Sequence, residues 1–230
     1  LGLKPGQRVL EVGCGSGVFL PGLAARVAPG GSVVGLDHSD ALLAEARAKV
    51  LAAENGELIT LQSGDADKLP FADDSFDAAH CERILVHLED PTAALREMVR
   101  VVRSGGVVVA AEPDWAGVRL YHPDPPAFER VYARALSFAQ PDVGITLLHR
   151  FGETGLVDRR FLPVTSVFTD FAVSRMYGLK LEPAVDALIT EGAMEPARLR
   201  AVVPALEQAS ALGHYYCMST MHIVAGTVPD

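Results

Sequence analysis

The stretch VLEVGCGSGVF, Val9 to Phe19, places the acid Glu11 just ahead of Gly13, Gly15 and Gly17. A turn from strand to helix gathers free backbone N–H groups and the positive end of the helix dipole, so it attracts anions or polar groups. Glycines let a ligand come close to the backbone. A dinucleotide turn reads G-x-G-x-x-G. From Gly13 the order here is G-x-G-x-G, with Val18 where the third glycine of that fingerprint belongs. Glu11 would repel a pyrophosphate and suits a ligand that carries positive charge. The segment also lacks G-x-x-x-x-G-K-[ST], which excludes a P-loop.

A second group of reactive residue types lies farther along. His87 follows the expected strand end at Arg83 and is the foremost candidate for a general base. The competing role is a histidine satisfied by a backbone partner. Glu112 and Asp114, in AAEPDW, suit orienting that imidazole or binding a substrate hydroxyl or amine; otherwise they cap a loop. Trp115, beside them, suits either the wall of an aromatic substrate's pocket or a packed core. Glu82 and Arg83 fit an internal salt bridge or a substrate contact. His80 reads as a buried structural histidine and Cys14 as a packing residue. The 7 histidines form no H-x₃-H pair, so no metal site is expected.

The elements that must hold these residues alternate between apolar runs and helical segments, the pattern of a parallel sheet flanked by helices. Strands are expected at 8–13, 32–37, 58–65, 76–83 and 107–112, and helices at 16–28 and 40–54. Leu42, Leu43, Ala46 and Val50 line one face of the second helix. A third starts at Asp90-Pro91, a preferred N-cap followed by a proline tolerated in the first turn. Its core face is Ala94, Leu95, Met98, Val99 and Val102, and Gly105-Gly106 end it. The rhythm then changes to an expected loop at 113–126. Helices at 127–139, 144–155, 173–190 and 195–213, and strands at 157–170 and 215–227, follow. We read one domain over 1–230, with a cofactor half (1–112) and a substrate-side half (113–230). Cap helices fall within 113–156 and 171–213.

Composition narrows the class. A hydrophobic content of 49% with 21% charged residues is ordinary for a globular protein. The net charge of -9 argues against nucleic acid as partner, because phosphate neutralisation calls for a basic face. Three scattered cysteines show neither metal-ligand spacing nor a disulfide framework, which points to a reducing cytoplasm. No apolar run approaches the roughly 20 residues of a membrane span, and no signal peptide is evident. The chain opens on Leu1 rather than Met, so a natural amino terminus ahead of it is expected to be missing.

With the glycine turn, Asp37 at the end of the second strand and SGDADKLPF (63–71) after the third, the chain resembles the S-adenosylmethionine-dependent class I methyltransferases. The run DDSFDAAHCERILVHLEDPTAALREMVRVVRSGG resembles their small-molecule, type 11 branch. The likeness is strong over 5–112 and weaker to the end of the chain. It implies an α/β, Rossmann-like, seven-stranded and mostly parallel sheet with the last strand antiparallel, helices on both faces and helical cap insertions. It implies S-adenosylmethionine as cofactor, S-adenosylhomocysteine as its product and a small-molecule acceptor. Glu11, Gly13, Cys14, Gly15 and Gly17 would form the cofactor turn, Asp37 would accept the ribose hydroxyls, and Asp65 with the N–H of Ala66 would meet the adenine. His38 and Cys81 fall beside the cofactor, and Arg83 and Trp115 beside the acceptor. Many relatives of this kind begin with cover helices ahead of the first strand, so here that cover is expected to be missing, supplied by another chain or replaced by an open site. EPDW is not the N/D-P-P-Y/F/W tetrad of enzymes that methylate nucleic-acid amines. Methyl transfer to a small molecule, in specialised metabolism, is the leading expectation. The alternatives are a non-methylating catalyst on the same scaffold, such as a cyclase, and a silent ligand-binding subunit.

Overall fold

Five apolar runs become the parallel strands β1 (Arg8–Val12), β2 (Ser32–Asp37), β3 (Ile59–Ser63), β4 (Phe76–Glu82) and β5 (Val102–Pro113) in a computed structural model that describes residues 2–136, 138–176 and 180–230. They lie in the order β3-β2-β1-β4-β5. Every neighbouring pair among them is parallel. Val9, Leu10 and Val12 are fully buried in the central strand β1. Each such side chain contributes roughly 1.5–3 kcal/mol by leaving water. Register then decides which side chains meet: Glu11 stands opposite His80 and Gly35, and Val12 opposite Cys81 and Leu36.

Helices α1 (Leu20–Val27), α2 (Asp40–Ala52) and α3 (Pro91–Val101) connect these strands. Ser39 caps α2 by accepting from the Leu42 N–H at 3.4 Å, and Asp90 caps α3 by accepting from Ala93 at 3.0 Å. Helix α1 starts later than expected because 16–19 belong to the glycine turn, where Gly17 takes φ +77°. On α2, Leu43, Ala46 and Val50 are buried while Leu42 is partly exposed. Strand β5 begins at Val102, ahead of the double glycine expected to end α3. The fully buried Val102 pairs with Phe76, and Gly105 and Gly106 exchange backbone hydrogen bonds with Val228.

The chain divides into two compact units. The first holds residues up to Glu112, then Val143–Leu162 and His222–Asp230. It includes β1–β4, β5 as far as Glu112, and α1–α3. Helix α5 (Val143–Glu153) also lies in it, where Arg150 donates to Thr92 of α3 at 3.0 Å. The second unit holds Pro113–Asp142 and Pro163–Met221. Its helices are α4 (Pro125–Ala135), α6 (Phe171–Met176), α7 (Glu182–Thr190) and α8 (Pro196–Ala211), around a core including Phe128, Val131, Leu188, Leu199 and Leu206.

The segment expected as loop at 113–126 contains the two-residue strand β6 (Arg119–Leu120), an eighth strand beside the seven expected. The late strands are β7 (Val157–Phe168) and β8 (Cys217–Thr227), which pair, and β8 runs antiparallel to β6. The helix expected over 173–190 corresponds to α6 and α7. Residues 177–179 between them lie outside the described residues, as does residue 137 of the expected helix 127–139. Among the described residues no helix is long and apolar enough to cross a membrane.

Candidate functional site

The glycine turn joins β1 to α1 inside the first unit, and its three glycines do different work. All three have positive φ, a region costly for side-chain-bearing residues. A Cβ on Gly13 would overlap Cγ2 of Ile84, so this glycine admits the neighbouring turn. One on Gly17 would lie 3.0 Å from the Ala46 Cβ, so this glycine admits α2. A Cβ on Gly15 would meet no atom of the described residues within 4 Å, its chain neighbours aside, so its bare backbone faces open space. Helix α1 follows with no side-chain cap on its first turn, which leaves its leading N–H groups free of a capping side chain. Cys14 is buried, its N–H donates to Leu36, and burial pushes its thiol up to about 12. That thiol packs and is no nucleophile at neutral pH.

Asp37 closes β2 directly opposite. Its Oδ2 accepts from the Gly15 N–H at 2.8 Å and its Oδ1 from Ser39 at 2.9 Å, with the residue 6% exposed. A carboxylate has about four lone-pair sites, so two acceptor directions remain for a ligand. His38 projects outward, its ring 3.6 Å from Asp37 Oδ1. Asp65 is exposed and Ala66 half-buried in the loop after β3. That loop is clamped from α3: Glu97 accepts from the Leu69 N–H, while Arg100 binds Glu97, Asp73 and the carbonyls of Leu69 and Phe71. The hydrogen bonds from Arg100 hold the Glu97 carboxyl below its ordinary range.

The third wall is the junction of β1, β4 and β5. Glu11 is 2% exposed, and its Oε2 lies 2.6 Å from Nδ1 of His80. Burial raises the Glu11 carboxyl while the His80 hydrogen bond opposes it. The His80 ring meets Phe19, at the mouth of α1, edge-on at 5.8 Å. Cys81 is fully buried, which pushes its thiol well up. Arg83 leaves β4 with φ +57°, its N–H on the Ala111 carbonyl and its Nε 3.2 Å from Glu82. A 3-10 turn, Leu85–His87, follows; His87 is exposed and its N–H donates to the Ile84 carbonyl. Glu112 Oε1 accepts from the N–H groups of Ile84 and Leu85, at 2.9 and 2.8 Å.

In the second unit, Asp114 Oδ1 accepts from the Gly117 N–H at 3.0 Å, the loop-capping geometry. Trp115 is half-buried, stacks on Phe138 at 5.6 Å and receives the Tyr132 hydroxyl on its carbonyl at 2.5 Å.

The first unit thus brings together Glu11, the glycine turn, Asp37, His38, the Asp65 loop, Cys81, Arg83 and Glu112, with His87 on the turn beside them. Three contributors escaped sequence reasoning. His80 partners the motif acid, and the signal was its position opposite Glu11 once β1 and β4 are paired in parallel. Glu97 and Arg100 are the others, an oppositely charged pair three apart on one helix.

The chain is similar to known proteins in sequence and in fold. Residues 10–110 match the sequence family described as a methyltransferase domain. A 37.1 kDa protein of transposon Tn4556 from Streptomyces fradiae is 36% identical over 193 residues, 81% of this chain and 55% of that protein. The demethylmenaquinone methyltransferase of Staphylococcus aureus (strain JH9) is 35% identical over 144 residues, 63% of this chain and 56% of that protein. The chain therefore spans about half the length of these curated relatives. Among solved structures, a candidate methyltransferase from Bacillus halodurans superposes with a TM-score of 0.70 at 21% identity, covering 100% of this chain and 95% of that one. A Haemonchus contortus phosphoethanolamine N-methyltransferase 2, in complex with phosphomonomethylethanolamine and S-adenosylhomocysteine, gives 0.61 at 18% identity, over 99% of this chain and 50% of that one.

Proposed function

We propose that this chain, whose residues 10–110 match the methyltransferase domain family, binds S-adenosylmethionine and transfers its methyl group to a small-molecule acceptor. The observation that carries the reading is the pairing of an open Gly15 backbone with an Asp37 carboxylate that keeps two acceptor directions in hand. An adenosine with a cationic amino-acid tail fits that donor set. Asp37 would take the ribose hydroxyls, the Asp65–Ala66 loop the adenine, and the acid Glu11 would favour the positively charged end. A pyrophosphate fits poorly between two buried carboxylates.

When bound, the cofactor supplies a methyl group activated by a sulfonium. Transfer is an in-line displacement, so the chain's main task is alignment in a site shielded from water. A base is needed only for a protonated nucleophile. We assign that role to His87, exposed on the turn after β4, with Arg83 of the same unit as a contact for the acceptor. The acidic balance favours a small molecule over nucleic acid, and a reducing, cytoplasmic setting suits the three free cysteines. A role in specialised metabolism is part of this reading.

The test is turnover with S-adenosylmethionine and a panel of hydroxyl, amine and acidic-carbon acceptors. A product heavier by CH₂, formed together with S-adenosylhomocysteine, supports it. An unchanged product mass with rearranged bonding would instead make the protein a cyclase on this scaffold. Absence of cofactor binding would refute both.

A further inference from the structure

We propose that Glu112 is a positioning residue that shapes the cofactor turn from behind: it fixes the turn after β4, and that turn presses Ile84 against Gly13. The inference rests on the cofactor reading above and adds a role for a residue whose type suggests direct chemistry.

Accessibility argues first. Glu112 is 0% exposed, and its Oε1 is committed to the backbone of the turn after β4. It sits behind the wall of the site and is no candidate to touch an acceptor. Its hydrogen bonds argue second. The left-handed Arg83 turns the chain so that three successive N–H groups, of Arg83, Ile84 and Leu85, converge on the end of β5. The Ala111 carbonyl takes the first, and Glu112 Oε1 takes the other two.

Packing completes the connection. The Ile84 methyl occupies the space where a Cβ of residue 13 would stand, so the position of Ile84 limits the path of the glycine turn. The same turn carries His87, whose N–H closes onto the Ile84 carbonyl at 3.0 Å. One carboxylate therefore registers the cofactor turn and the base candidate together. Glu112 Oε2 is buried without a hydrogen-bond partner among the described residues, a cost borne for the work of Oε1.

The test uses the full chain and S-adenosylhomocysteine titrated calorimetrically into wild type, Glu112→Gln, Glu112→Ala, Ile84→Ala and the Glu112→Ala/Ile84→Ala double variant. Gln keeps an oxygen acceptor and should bind within about threefold of wild type. Glu112→Ala and Ile84→Ala should each weaken binding about tenfold, the scale set by losing hydrogen bonds or packing. The double variant should bind no worse than the weaker single, because both act through one contact. Backbone amide exchange at Ile84 and Leu85 should quicken at least about tenfold in Glu112→Ala and stay slow in Glu112→Gln. Normal binding by Glu112→Ala, additive losses in the double variant, or unchanged exchange at those amides overturns the proposal. So does a Glu112→Gln protein that folds but binds as poorly as the Ile84 variant. Should Glu112→Ala fail to fold, the Gln and Ile84 variants still decide. Failure of wild type to bind at all refutes the cofactor reading itself, a separate result.

Discussion

Replacing Glu112 with Gln should change how stability depends on pH, by an amount the structure sets. Burial pushes the Glu112 carboxyl from the ordinary 4.5 up to about 7, against the N–H groups of Leu85 and Ile84 that favour its ionised form, and the Glu82 charge adds to the rise. Between those two values the folded protein binds more protons at this group than the unfolded chain does. Stability contributed by the group therefore falls as pH rises through that window and levels off above about 7. The full span is about 3 kcal/mol at 1.36 kcal/mol per pKa unit; between pH 5 and pH 8 it amounts to about 2.5 kcal/mol. Gln cannot ionise, so this dependence disappears. Its amide N–H group, where Oε2 now stands, adds a constant penalty of about 1–3 kcal/mol. Other titrating groups are common to both proteins and cancel. Urea unfolding of the two proteins at pH 5 and pH 8 gives the answer. The stability of Glu112→Gln relative to wild type should improve by about 2.5 kcal/mol at the higher pH. A relative change below about 0.5 kcal/mol would mean that Glu112 ionises like a solvated acid, and the buried geometry would be refuted.

Four further substitutions separate structural from ligand-facing roles. Gly15→Ala, which meets open space, should cost only about 1 kcal/mol of backbone strain yet abolish cofactor binding, whereas Gly13→Ala should cost several times more, with part recovered on adding Ile84→Ala; melting and calorimetry together check this, and equal behaviour of the two glycines would contradict it. Asp90→Ala should lower stability by about 1 kcal/mol through loss of the α3 cap, with cofactor affinity unchanged, as denaturant titration and calorimetry would show. His87→Gln should reduce kcat about 10²-fold or more with a hydroxyl acceptor while leaving cofactor affinity intact; undiminished turnover in a steady-state assay would remove the base role.

The strand order follows from features visible in the chain: short apolar runs alternating with helices admit few topologies once crossovers must be right-handed. Asp37 and the glycine turn were equally legible, because a strand end and a positive φ each limit the residue types allowed. Other features depend on contacts no local pattern carries. Val102 reads as the last apolar position of a helix, yet its pairing with Phe76 draws it into β5. The sites of Glu112 and His80 were visible as residues but not as partners. Their neighbours, Ile84 and Glu11, lie 28 and 69 positions away, and only strand register brings them together. The change at Glu112 was visible in the chain's rhythm, but the placement of α5 in the first unit comes from long-range packing such as that between Arg150 and Thr92.

The central claim, a cofactor site built on the open glycine turn and Asp37, is tested most directly by titrating S-adenosylmethionine and S-adenosylhomocysteine into wild type and Asp37→Ala under matched conditions. One-to-one binding to wild type, weakened at least about tenfold in the variant, is the predicted result. No binding to folded wild type, or equal binding by both proteins, would contradict the account.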